Sequence, residues 1–288
     1  MPLTAHSAHS THAGLRVSLL TQHGKQHVLR SVLESGLGCQ LIHTDGFDTD
    51  LLGTFTQDVA RAGSQLEACR RKARIGMTLT DAAVGIASEG AFGPDPFAGL
   101  MPWNTEMVLW VDSRQGTEVT GLAQGPAQSM QNTVMTSDEL MRFADEALFP
   151  EHHLVLRPDH PEHPQIYKGL ADANSLLAAF HAAQAISPQG RVFVENDLRA
   201  FCNPTRQGLI RQAGEDLVRK LGSFCPHCQA PGYWLRQRES GRLCKACQKP
   251  TQLPVAELWS CPQCAHAERR PINAGQWAPP GQCDFCNP

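Results

Sequence analysis

The chain has no apolar run approaching the ~20 residues a helix needs to cross a membrane. Leu15 to Leu20 is only strand-sized and is broken by Arg16 and Ser18. Charge of one sign is also lacking. The 25 Lys+Arg stand against 28 Asp+Glu, a formal net charge of -3, which excludes a strongly basic nucleic-acid coat. The His/Ser/Thr-rich start shows no basic region followed by an apolar one, so no secretory leader is expected. No repeat of solenoid period is visible. What is present is 41% hydrophobic residues in 288, enough for a sizeable core, and 11 cysteines. A reducing, cytoplasmic setting is expected, in which cysteines are thiols or metal ligands rather than disulfides.

Residues 1–14 are low in complexity, with His6, His9 and His12 at every third position. They predict a disordered tail, with a weak metal-binding tract as the alternative. From Leu15, strand-like and helix-like patterns alternate. Strands are expected at 15–20, 39–43, 83–87 and 191–194, with a hairpin over 106–122 and another strand at 152–158. Helices are expected after Lys25, over 64–77, 136–148 and 172–185, and from Pro204 to 221. Ser64-x-x-Glu67 and Thr136-x-x-Glu139 fit capping boxes. Asn203-Pro204 fits an N-cap followed by proline at the first helical position. This alternation predicts an α/β domain over 15–221, a mixed sheet flanked by helices.

Composition shifts at Gly222. Residues 222–288 hold four Cys-x-x-Cys pairs: Cys225/Cys228, Cys244/Cys247, Cys261/Cys264 and Cys283/Cys286. Two residues between cysteines let a tight turn aim both sulfurs at one point, and two such knuckles complete a tetrahedron around zinc. Sequential pairing gives two tandem zinc ribbons and is the expected arrangement. Interleaved pairing, first with third and second with fourth, gives a cross-brace and is the alternative. All-cysteine sites leave no coordination position for water, so both zinc ions are expected to be structural. With thiolates and zinc counted, the tail is close to neutral, which does not favour binding to nucleic acid. Cys39, Cys69 and Cys202 fall outside the set and read as core thiols.

Three loops in the α/β domain follow expected strand ends, where open α/β sheets hold ligands. Thr21 to Lys25 is a strand-to-helix turn able to hold a phosphate, although it lacks the glycine spacing of a Walker A loop. Ser88 to Pro94 presents Glu89. Glu195, Asp197, Arg199, Asn203 and Arg206 form the third cluster and an alternative site, with ion pairing and capping as the competing explanations. Arg70, Arg71, Lys72 and Arg74 make one helix basic. Asp45, Asp48 and Asp50 read as turn residues, with Mg²⁺ binding as the alternative. His152, His153, His160 and His163 read as surface residues.

Over nearly its whole length the chain resembles an uncharacterised bacterial family of unknown function. The residues carrying that resemblance are Asp48-Thr49-Asp50 with 52–56, Arg71 to Arg74, Ala87 to Pro94, Asp197 to Ala200 with Asn203 to Arg206, and the terminal Cys-x-x-Cys pairs. Residues 15–125 are also similar to the inosine/xanthosine triphosphate pyrophosphatases. Thr21 and Lys25, Glu67 with Lys72-Ala73, and Val84-Gly85-Ile86 with Glu89-Gly90 carry this second resemblance, although His23 stands where asparagine is usual. It implies that Lys25 and Lys72 hold phosphates and that Glu67 and Glu89 bind Mg²⁺ or orient water. Two functions are then open. One is Mg²⁺-dependent hydrolysis of a nucleoside triphosphate or related phosphate ester. The other is a non-catalytic zinc-bearing module that recognises a protein or nucleic-acid partner.

Overall fold

Two periodicities in the apolar residues set the layers of this molecule. A computed structural model describes residues 11–49 and 63–287. Strand β1 (Arg16–Leu20) leads through helix α1 (Lys25–Leu37) to β2 (Gln40–Thr44). Helix α2 (Gln65–Thr80) then precedes β3 (Val84–Pro94), β4 (Pro102–Asp112) and β5 (Thr117–Pro126). β1 runs parallel to both β2 and β3, whereas β4 and β5 return as antiparallel hairpin arms. The result is a mixed five-stranded sheet in the order β2-β1-β3-β4-β5.

Residues two apart on a strand share a face. On one face Val17, Leu19, Val84, Ile86, Val108 and Trp110 pack under α1 and α5 (Pro204–Leu221). On the other, Ala87, Leu109 and Val111 meet Cys69 and Ala73 of α2. Cover on both faces explains why these strands read as nearly continuous apolar runs. Cys39, Cys69 and Cys202 are buried, as expected of core thiols.

Residues between β5 and α5 build a second, antiparallel sheet, which the alternating pattern alone does not separate from the first. It contains β6 (Gln131–Val134), β7 (Leu154–Pro158), β8 (Tyr167–Leu170) and β9 (Val192–Asn196), in the order β6-β9-β7-β8. α3 (Ser137–Glu146) and α4 (Ala173–Ile186) close over a separate core that includes Leu140, Phe143, Leu154, Leu156, Phe180 and Val194. β6 and β8 are four residues each, too short to show a period.

Both expected capping boxes are formed, at Ser64/Glu67 and Thr136/Glu139. The Asn203 side chain accepts from the Arg206 N–H, with Pro204 in the first turn. Three expectations need correction. Ser88 to Pro94 is not a loop but the continuation of β3, paired with β4 as far as Pro94. His12 is buried, with its ring edge-on to Trp110 at 5.3 Å, so the expected tail does not extend over it. His152 is also buried rather than on the surface, and its Nε2 lies 2.9 Å from Thr205 Oγ1.

The last part of the chain forms a three-stranded antiparallel sheet, β10 (Trp234–Ser240), β11 (Pro254–Ser260) and β12 (Ala267–Pro271). The segment leading into it folds back on α5, where the Gly232 N–H donates to the Lys220 carbonyl at the end of that helix.

Candidate functional site

β1 stops at Leu20, whereas its parallel neighbour β3 runs on to Pro94. The flank of β3 beyond that point lies at the carboxyl ends of the two strands, where an open α/β sheet has its crevice, with α1 on one face and α2 on the other. Open α/β sheets bind ligands at such a point. Three helices begin here. α1 starts at Gly24, in the left-handed region at φ 74 and with no side-chain cap. At the start of α2, Gln65 Nε2 donates to the carbonyls of Glu89 (2.8 Å) and Thr105 (3.1 Å). α5 brings in Arg206 on its first turn. Each helix start carries partial positive charge, so this end of the sheet favours an anion.

Lys25 is the first residue of α1 and is 5% exposed. Its Nζ donates to the Ser88 carbonyl at 2.5 Å and lies 3.4 Å from Ser88 Oγ. Burial, followed by the nearby Arg206, pushes its pKa down to about 8, while Glu106 and Glu89 pull it back up. Lys25 therefore sits within electrostatic range of four charged groups, Arg206, Glu106, Glu89 and Lys72. Glu89 points to the α2 face and forms an ion pair with Lys72 Nζ. Glu106 points to the α5 face, where its Oε1 accepts from Arg206 Nε at 2.7 Å; the two side chains are 0% and 1% exposed. Asn104 Nδ2 lies 3.2 Å from the same Glu106 oxygen, and Arg206 Nη1 donates to the Leu198 carbonyl. A methyl group at Gly90 would stand 2.3 Å from Glu106 Oε1 and 2.7 Å from Arg206 Nη2, so only glycine fits beside the pair. Glu106 Oε2 and Asn104 Oδ1 are buried with no hydrogen-bond partner among the described residues.

Of the residues singled out from the sequence, Lys25, Lys72 and Glu89 come together, and Arg206 joins them from the alternative cluster. Thr21 is buried at the end of β1, and its hydroxyl accepts from the His23 N–H at 3.4 Å. Glu67 does not join. Its Oε2 accepts from the Ser64 N–H and hydroxyl at 2.7 and 2.9 Å, which closes the capping box and lowers its pKa. Arg70 is paired with Glu118 at 2.7 Å, which accounts for part of the basic face of α2. Asp45 and Asp48 are exposed, and Asp50 lies outside the described residues, as do 52–56.

The alternative cluster divides. Glu195 lies on β9, 3.9 Å from Arg157 Nε. Asp197 accepts from Arg199 Nε and Nη2 and from the Gly169 N–H. Asn203 caps α5 and donates from Nδ2 to the Gln128 carbonyl. Leu198 and Arg206 tie this segment to the crevice, so the two expected sites adjoin. Sequence reasoning missed Glu106 and Asn104, and named Ser88 only as the start of a loop. Alternation along β4 puts Glu106 in phase with the core residues Val108 and Trp110, and a carboxylate at such a position was the available signal.

In the tail the eight cysteines form two tetrads, as the four knuckles predict, but the pairing is not sequential. Cys225, Cys228, Cys261 and Cys264 make one tetrad; Cys244, Cys247, Cys283 and Cys286 make the other. The first lies where β10 begins and β11 ends, and the second at the opposite end of the sheet, so the sheet is strung between them. The gaps within each half suggested tandem ribbons, yet the β10–β11 hairpin carries the second knuckle away from the first. Sulfur separations across the tetrads are 3.5 to 3.8 Å. A zinc ion with Zn–S near ~2.3 Å in a tetrahedron requires about 3.8 Å. The sulfurs are therefore spaced to hold zinc. Gln229, Gln248 and Ala265, each directly after a knuckle, have φ between 57 and 61, the left-handed turn that folds backbone N–H groups onto sulfur. The Cys247 N–H is the main cause holding the Cys244 thiol down at about 7, against the effect of burial. A lowered thiol pKa favours the thiolate that binds metal.

Across the sheet Arg238–Glu257 and Arg269–Glu239 are paired at 3.3 and 2.6 Å, and within β12 Arg270–Glu268 at 2.7 Å. No helix among the described residues is long and apolar enough to cross a membrane.

No curated protein matches the chain. A family model described as a domain of unknown function, DUF6671, matches residues 72–288, from α2 through both cysteine tetrads. The chain belongs to the DUF6671 family.

Proposed function

We propose that the crevice binds a nucleoside triphosphate or related phosphate ester and hydrolyses it with Mg²⁺. The observation carrying this reading is that Lys25, at the start of α1, lies within electrostatic range of Lys72, Glu89, Glu106 and Arg206. Three cations and two carboxylates leave one positive charge in excess, in a setting where little water weakens it. Lys25, Lys72 and Arg206 are the phosphate ligands. Glu89 orients water and accepts its proton. Hydrolysis of this kind is mainly a task of positioning and charge stabilisation, which a preformed cluster performs without reorganising.

Mg²⁺ is commonly held by one or two carboxylates together with substrate phosphates. The buried Glu106 Oε2 and Asn104 Oδ1, both without partners, are oxygen atoms of the required kind. When bound there, Mg²⁺ would neutralise phosphate charge and lower the pKa of water. The tail supports the reading in another way: closed all-cysteine sites leave the chemistry to the α/β part and serve to hold the sheet.

The test is a panel of nucleoside triphosphates incubated with the full chain and Mg²⁺. Release of phosphate or pyrophosphate that is lost in Glu89→Gln supports the proposal. No release from any substrate, or release unchanged in Glu89→Gln, overturns it.

A further inference from the structure

The segment that leaves β9 for α5 brings a partly exposed aromatic ring to the start of α1. Phe201 sits in the short helical turn Ala200–Cys202. It is 45% exposed, although Ala200 and Cys202 on either side are buried. It stands against the uncapped start of α1: a methyl group at Gly24 would lie 3.3 Å from Phe201 Cβ. Lys25 is the next residue. The His23 ring stacks on Phe201 with centroids 6.3 Å apart and planes 29° apart. The Arg199 guanidinium lies 4.8 Å from the Phe201 centroid, and its orientation is set by Asp197, which accepts from Nε and Nη2. The His23 ring and the Arg199 guanidinium thus both lie against Phe201, beside a helix start suited to phosphate. Packing against Gly24 accounts for one edge of Phe201 but not for the part left in water.

We propose that Phe201, with His23 and Arg199, is a ledge on which the base of a nucleotide stacks, so that the phosphates at Lys25 belong to a nucleotide rather than to a simple ester or polyphosphate. The proposal rests on the crevice being a phosphate site. Stacking accepts any base, because each has a π-face, so the ledge selects nucleotides as a class without choosing among them. Arg199 adds cation–π attraction through its fixed plane.

Calorimetric titration of the full chain tests this with three probes: adenosine triphosphate, guanosine triphosphate and inorganic tripolyphosphate. Wild type, Phe201→Ala and Phe201→Trp are compared, and thermal melting is recorded for each. The expected result is that Phe201→Ala binds both nucleotides about 5- to 150-fold more weakly, the range of base–aromatic stacking. Tripolyphosphate binding is unchanged, and Phe201→Trp restores the nucleotides. If Phe201→Ala weakens all three probes alike, or only lowers the melting temperature, the ledge is structural and the proposal fails. If wild type binds tripolyphosphate as tightly as the nucleotides, the proposal also fails while the phosphate site stands. Binding of none of the probes overturns the crevice reading itself, and the ledge with it.

Discussion

At the scale of single residues, the pair Glu106–Arg206 is the most exacting feature of the molecule. Both side chains are essentially out of water, so neither charge has solvent to fall back on. Removing one partner leaves an uncompensated buried charge, whereas replacing both with apolar groups of similar volume need not. Glu106→Ala is expected to lower unfolding stability by about 3–5 kcal/mol. The double replacement Glu106→Leu with Arg206→Met should cost less than the single one, as measured by denaturant titration. A single variant milder than the double would contradict the buried pair. The buried histidines give a pH signature. Burial is the main cause that lowers the pKa of His12 and of His152 from 6.5. In the unfolded chain both take up protons near 6.5, which the folded chain resists. Their contribution to stability is therefore complete above that pH and is lost as pH falls below it. Melting temperature should drop more steeply below about pH 6.5 in wild type than in His12→Phe with His152→Gln. Parallel curves would remove these two residues from the account.

At the scale of elements, the sequence was most informative where one turn of chain determines the outcome. Ser64-x-x-Glu67, Thr136-x-x-Glu139 and Asn203-Pro204 are local hydrogen-bond patterns, and all three appear as read. The same locality explains the fate of Glu67. A residue that satisfies the first turn of α2 is held there by its cap, which competes with the role the resemblance implies for it. Ser64→Ala should lower stability by about 1 kcal/mol. Glu67→Gln, which a capping box tolerates, should leave both stability and phosphate binding near wild type. Loss of binding in Glu67→Gln would restore that glutamate to the site. Non-local pairings were not legible. Ser88 to Pro94 looks like a loop because of its glycines and proline, yet it is held straight by pairing with β4. The pairing of Glu106 was unreadable for the same reason, since its partner lies 100 residues away.

At the scale of the whole molecule, the interleaved tetrads tie both ends of the tail sheet, and the first knuckle follows directly from α5, whose other end supplies Arg206. Zinc content separates the two pairings. Cys225→Ser with Cys261→Ser should remove one zinc and leave one, whereas Cys225→Ser with Cys244→Ser should remove both. Sequential pairing predicts the reverse, and atomic absorption on purified protein decides between them. Spacing made the ligands legible but not their partners, because knuckles with similar gaps are told apart only by the strands between them. The central claim is that the carboxyl end of β1 and β3 is a phosphate site built around Lys25. Its most direct test is tripolyphosphate binding to wild type and to Lys25→Met, a replacement of similar length, followed across pH. With a pKa of about 8, Lys25 loses its charge as pH rises through that value. Wild-type affinity should therefore fall through about pH 8, and Lys25→Met should bind at least about tenfold more weakly, the value of a charged hydrogen bond, with little dependence on pH in that range. Equal affinities with the same pH profile in a folded Lys25→Met would contradict the claim.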